Sequence, residues 1–180
     1  MLKGQQTNLY KCVIENGFSL ISKVGFMGLI HPIDIFNDSK GRPFRKIGNA
    51  RLDYYFNFRN ELMLFSEVSH TRFYAICIYS SLKDKPNFKA INNLFHPSTI
   101  QGSLNHSGAD LVEGMKVKDE NSNSFIWNIK PHKERVINFK EEQLRILATT
   151  FENTDKWAGT KLVSIHAQGI ELATINGTKS

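Results

Sequence analysis

Residues 49–81 read NARLDYYFNFRNELMLFSEVSHTRFYAICIYSS and concentrate most of the aromatic and β-favouring residues of the first half of the chain. Leu52, Tyr54, Phe56 and Phe58 alternate with Asp53, Tyr55 and Asn57, the period-two pattern of a strand with two different faces. The Arg59-Asn60 pair supplies a short turn, and Leu62 to Val68 and Phe73 to Tyr79 then read as two further strands. The apolar centre Ala75-Ile76-Cys77-Ile78 places the last of them in the middle of a sheet. Two carboxylates, Asp53 and Glu67, stand among apolar neighbours in this block. A carboxylate removed from water is costly unless it is paired, hydrogen-bonded or used, so both are candidates for chemistry.

Upstream, Thr7 caps a first helix carrying Leu9, Val13 and Ile14 at helical spacing, with Asn16-Gly17 as a stop or kink. FSLISKVGFMGLIHPIDIF follows, apolar but broken by glycines, and fits helix or strand equally up to Ile30. Residues 37–45 (NDSKGRPFR) form a turn-rich loop. Downstream, Phe88, Ile91 and Phe95 predict a short amphipathic helix closed by His96-Pro97, and residues 97–112 predict a mobile loop. Met115 and Val117, then Phe125, Trp127 and Ile129, alternate on either side of a DENSNS turn and predict a hairpin. Asn138 and Glu141 suggest a capping box for a helix with Leu144, Leu147, Ala148 and Phe151 on one stripe. Residues 162–167 and 170–175 read as a last hairpin around Gln168-Gly169, and residues 176–180 as a short tail.

The expected fold class is α+β: a single globular domain over residues 1–180, with a mainly antiparallel twisted sheet of about six to eight strands packed against two or three helices. A length of 180 residues with 41% hydrophobic and 22% charged residues suits one sizeable core. Neither a long apolar run nor a signal-peptide layout is present, which predicts a cytoplasmic protein with no membrane partner. Cys12 and Cys77 lie amid apolar residues, without a CxxC or Cys/His cluster, and read as core thiols. The richness in Asn, Lys, Ile and Phe points to an AT-rich genome, such as that of a phage or mobile element.

The net charge of +6 is uneven: residues 41–90 hold nine basic and four acidic side chains, whereas residues 91–180 hold ten of each. A local basic field of that kind attracts polyanions. Aromatic residues interleave with it, as in proteins that stack single-stranded bases beside phosphate-binding cations. Arg42, Arg45, Lys46, Arg51, Tyr55, Arg59 and Arg72 are accordingly the expected contacts to DNA or RNA.

The segment Asp53…Glu67-Val68-Ser69-His70 resembles the metal-binding hairpin of the PD-(D/E)XK nucleases. The resemblance implies an Asp and a Glu holding a divalent cation such as Mg²⁺, which activates water against a phosphodiester. It covers about twenty residues, places Ser69 where that family has a lysine, and puts the strand Phe73 to Tyr79 where that family usually has a helix. Asp53 and Glu67 as metal ligands, with His70 assisting, form this catalytic reading.

Six histidines are scattered along the chain without an HExxH or a zinc pattern. Metal-independent RNA cleavage by His70 with Arg72, or by His132 with Lys130, Lys133 and Arg135, is a related reading. No Walker A loop, GxGxxG, GxSxG or kinase set occurs, which argues against nucleotide-cofactor enzymes and α/β-hydrolases. The leading expectation is therefore a nucleic-acid-binding protein using residues 42–89. A non-catalytic protein-binding module (inhibitor, immunity or accessory protein) that uses residues 97–112 and exposed aromatics is the alternative, and a metal-dependent nuclease ranks third.

Overall fold

The computed structural model describes residue 2 and residues 8–168. In chain order the elements are α1 (Leu9–Leu20), β1 (Met27–Pro32), α2 (Asp34–Asn37), α3 (Arg42–Arg51), β2 (Leu52–Arg59), β3 (Phe73–Tyr79), β4 (Phe88–Leu94), α4 (Ser98–Leu104), β5 (Lys116–Lys118), β6 (Phe125–Trp127), β7 (Ile137–Phe139) and α5 (Glu141–Glu152). Five strands form a sheet of order β1-β3-β2-β4-β7, mixed but mostly antiparallel, and β5 pairs with β6 in a separate ribbon. The α+β class is as expected. The antiparallel run of β2 and β3 shows in backbone bonds at either end, Asn60 N–H to Arg72 O at 3.0 Å and Ser80 N–H to Arg51 O at 2.8 Å.

The chain divides into two compact units. The first comprises the described residues of Met1–Tyr55, Ala75–Ala90 and Asn138–Val163, and the second those of Phe56–Tyr74, Ile91–Ile137 and Ser164–Ser180.

In the first unit, helix α1 runs through Asn16-Gly17 rather than ending there. Gly17 serves close approach: a Cβ at this position would collide with Met27 Sδ. The undecided stretch after it ends the helix at Leu20 and resumes as β1 at Met27. Residues 37–45, expected as loop, turn only as far as Gly41. Helix α3 then begins with Pro43 in its first turn, where the missing N–H costs nothing. Phe44, Arg45, Gly48 and Asn49 are its buried residues, and the basic cluster Arg42, Arg45 and Lys46 is helical. The core of this unit is a run of rings. Phe36 lies 5.0 Å from Tyr55 and 6.2 Å from Phe44, and Phe18 lies 5.0 Å from Tyr79. Helix α5 adds Leu144, Leu147 and Ala148, while Phe151 stays about half exposed. Its cap is also shifted: the Lys140 amide donates to Gln143 Oε1 at 3.1 Å, and Asn138 sits in β7 instead.

The second unit is organised by buried asparagines. Leu62 to Val68 is not a strand, because Asn60, with no exposed surface, takes over the local backbone groups. Its Nδ2 donates to Phe65 O at 2.9 Å and Val68 O at 2.7 Å, and its Oδ1 accepts from Phe65 N–H at 3.1 Å. Asn57 donates to Ser164 Oγ at 2.8 Å and Asn92 to Ile165 O at 3.1 Å. These bonds hold residues 164–167 without strand pairing, so the first arm of the expected last hairpin is irregular; residues 170–175 lie outside the described residues. The predicted helix at Phe88 is instead β4, whose positions 88, 90, 92 and 94 are all buried. Ala90 is small and Asn92 polar, so the period of two was hidden beneath the accidental helical spacing of Phe88, Ile91 and Phe95. Residues 97–112, expected as one loop, carry α4, which buries Thr99 and Ser103. Thr99 Oγ1 donates to Ile129 O at 2.7 Å, and Ser103 Oγ accepts from His132 N–H at 3.1 Å. The hairpin of β5 and β6 forms as expected.

Candidate nucleic-acid interface

The first-unit residues expected to contact nucleic acid are largely engaged in the fold. Arg45 is 1% exposed and donates Nε–H to Gly159 O at 2.8 Å and Nη1–H to Asp38 O at 2.6 Å. Burial lowers its pKa, which the carboxylates of Glu152 and Asp38 offset only in part. Tyr55 is likewise buried and forms part of the ring core, so it offers no stacking face. Arg42 pairs with Glu152 at 3.3 Å and also donates to Lys156 O. Arg51 lies over the Phe18 ring and donates to Ser80 O at 3.2 Å, while Lys46 is exposed.

Asp53 forms an ion pair with Lys83 at 2.7 Å, and Lys83 also donates to the Leu52 and Asn87 carbonyls. Glu67 belongs to the second unit and is exposed in the irregular segment after Asn60. Without a strand at 62–68, the hairpin that was to set Glu67 beside Asp53 does not form. Among the described residues, no group of three or more His, Cys, Asp or Glu side chains is arranged to hold a metal ion. The donor set does not fit Mg²⁺, which needs clustered oxygen ligands. His70, expected to assist that site, is exposed and sits 3.2 Å from Glu61 Oε2.

A different surface emerges in the second unit. In the ribbon, Lys116 is paired with Trp127, Val117 with Ile126 and Lys118 with Phe125. Because side chains alternate along a strand, Lys116, Lys118, Phe125 and Trp127 share one face, and Val117, which is buried, faces the other way. Lys116 Nζ lies 4.5 Å from the Trp127 ring centroid, and Arg59 lies 5.6 Å from the same ring and 5.5 Å from that of Phe73. Phe95 stacks on Trp127 at 4.6 Å and seats it in the unit. Phe125 is 68% and Phe73 39% exposed. Arg59 is neutralised by Glu61 at 2.7 Å, whereas Lys116, Lys118 and Arg72 form no ion pair with a described residue. Of the expected contacts, therefore, Arg59 and Arg72 belong to this unit. Lys116, Lys118, Phe125 and Trp127 were missed, although the KVK and FIW triplets flanking a turn carried the signal.

Next to the ribbon in sequence is a cavity of about 380 Å³ lined by His106, Asp110–Glu113, Asn128, Lys130–His132 and Arg135. Both nitrogens of His132 are occupied: Nδ1 accepts from Glu134 N–H at 3.1 Å and Nε2 lies 2.7 Å from Asp110 O. An imidazole so bound is poorly placed to exchange protons with a phosphodiester. No protein-family model, curated protein or solved structure matches this chain.

Proposed function

We propose that this protein binds single-stranded nucleic acid through the face of the β5–β6 ribbon. The observation that carries the reading is the pairing of Lys116 with Trp127 and Lys118 with Phe125 on one side of two strands. Aromatic rings supply stacking surfaces that any base satisfies, and unpaired lysines alongside them neutralise backbone phosphates. Phe73 and Arg72 extend the same chemistry from the start of β3. A cleft with convergent acids would have favoured the nuclease reading; Asp53 is instead tied to Lys83.

The test is a titration of a Trp157→Phe variant, whose remaining tryptophan is Trp127, with single-stranded DNA and RNA oligonucleotides. Quenching of Trp127 is expected, with affinity falling steeply as salt rises. Lys116→Glu with Lys118→Glu should lower the salt slope by about 0.7 for each phosphate that is no longer neutralised. Phe125→Ala should cost about 1–3 kcal/mol if a base stacks there. Binding that is absent at about 50 mM salt, or unaltered in the double lysine variant, would refute the proposal.

A protein partner is the rival reading, and one feature favours it. Leu62, Met63, Leu64, Phe65 and Val68 are all exposed at 39–46% on the segment held by Asn60. Charged substitution at Met63 and Phe65 should leave oligonucleotide binding intact under the leading proposal.

A further inference from the structure

The second unit buries a cation that no described residue neutralises. Arg135 is 1% exposed and lines the cavity, and among the described residues its Nη groups donate only to carbonyls: Lys130 O at 3.2 Å, Asn92 O at 3.2 Å and Asn93 O at 3.0 Å. Its Nε–H has no hydrogen-bond partner among the described residues. A buried guanidinium without a carboxylate is costly, and an unpaired donor adds to the cost.

Other groups around the cavity also offer donors. His106 Nδ1 accepts from the Gly108 amide at 3.0 Å, and an amide can only donate, so the proton of neutral His106 is on Nε2. That Nε2–H makes no hydrogen bond with a described residue. His132 has the same tautomer for the same reason, with Nδ1 accepting from Glu134 N–H. Its ring centroid is 4.8 Å from that of His106. Lys130 is held 3.1 Å from Glu113, with both side chains about half exposed. The Asp110 carboxylate is the other acid of the lining; that residue is exposed, and it is its backbone carbonyl that meets His132.

We propose that this cavity binds a phosphate group, with His106 Nε2–H and the Lys130 ammonium as donors and the buried Arg135 guanidinium supplying positive charge behind them. Donors on two chain segments, backed by a buried guanidinium charge, suit a multiply charged oxyanion with several oxygens better than a singly charged carboxylate. The volume lies within the range of small-molecule sites, roughly 300–1,000 Å³, and leaves room for more than the phosphate itself. Glu113 competes with the anion for Lys130, so removing its charge should improve binding. The assignment does not depend on the ribbon: phosphate could arrive free, on a nucleotide, or at the end of a strand.

The experiment is calorimetric and thermal-shift titration of the full chain with inorganic phosphate, with acetate at matched ionic strength as the control. Saturable binding and a raised Tm are expected for phosphate and not for acetate. His106→Gln combined with Lys130→Gln should weaken phosphate binding at least about tenfold while leaving the phosphate-free Tm close to wild type, since both side chains are partly exposed. Glu113→Gln should tighten it several-fold. Absence of saturable binding, equal binding of acetate, or unchanged affinity in the double variant each overturns the site. Oligonucleotides with and without a 5′-phosphate identify the source. A gain from the phosphate that disappears in the double variant assigns a strand terminus, and equal binding of the two, with inorganic phosphate still bound, assigns a free phosphate or nucleotide. Lys116→Glu with Lys118→Glu should leave phosphate binding intact, which separates this site from the ribbon.

Discussion

Each unit buries one arginine to 1% exposure; both donate to backbone carbonyls, and the two differ in the carboxylates near them. In the first unit Arg45 lies within the influence of Asp38 and Glu152, and both of its bonds staple neighbouring loops. In the second, Arg135 meets carbonyls alone among the described residues, and burial pushes its pKa down to about 10. The same contrast extends to the surfaces. The first unit pairs Lys11 with Asp38, Arg42 with Glu152, Lys83 with Asp53 and Arg145 with Glu141. In the second, Lys116 and Lys118 form no ion pair with a described residue and stand beside exposed rings. Charges that are internally satisfied maintain a fold, whereas unsatisfied charges next to a cavity or an aromatic face are available to a ligand.

The sharpest test of this contrast is Arg45→Met. It orphans the Gly159 and Asp38 carbonyls in a packed site and should cost about 3–4 kcal/mol in urea unfolding. Gly159 adds to the tightness there, because it has φ +78° and a Cβ would meet Arg42 O. The destabilisation should be the same with or without phosphate.

Arg135→Met should cost less, about 2 kcal/mol without phosphate, because deleting a buried charge that lacks a counter-ion recovers part of its desolvation penalty. The variant should also lack the extra stability that phosphate confers on the wild type. An equal penalty at Arg45 and Arg135, with the phosphate response intact, would erase the distinction.

Acid should weaken both units, through a histidine in each. His31 is buried against Tyr79, with Nδ1 2.8 Å from the Pro32 carbonyl, and burial lowers its pKa below 6.5. His166 is lowered by burial and by Arg135, with Nε2 3.0 Å from Glu113 O. Above the unfolded value both forms are neutral and this contribution is complete. As pH falls through 6.5 the unfolded chain takes up protons that the folded one refuses, so stability declines. The slope reaches at most about 1.4 kcal/mol per pH unit for each histidine. Urea melts between about pH 7.5 and 5.5 should show the decline, and His166→Gln should reduce it; a flat profile would rule out both groups.

The smallest effect is expected at Asp53→Asn. Its pair with Lys83 is about one-quarter exposed on each side, so the destabilisation should be about 0.5–1 kcal/mol. Oligonucleotide binding should not change. Mg²⁺-dependent cleavage that vanished in this variant would restore the metal-hairpin reading.

Legibility along the chain followed how local the deciding interactions were. The strands at Leu52 and Phe73, the hairpin at 116–127 and the helix from Glu141 follow from periodicity and turn residues within a few positions. The segment at 62–68 has strand-like composition, but a single buried Asn60 side chain competes for its backbone groups. The expected nucleic-acid face was drawn from charge density at residues 42–89, and folding spends Arg42 and Arg45 on internal acceptors. The face proposed instead lies in a part of the chain whose acids and bases balance in number, and so it carried no charge signal.

By itself the sequence determined the α+β class, the positions of its most regular elements and the absence of a long apolar span; no helix among the described residues is long and apolar enough to cross a membrane. Those properties come from short-range alternation and composition. Which cations are neutralised, which rings remain exposed and which buried donors lack acceptors depended on the tertiary structure. Burial and pairing are set by residues far apart in the chain, such as Arg45 with Gly159 and Arg135 with Asn92.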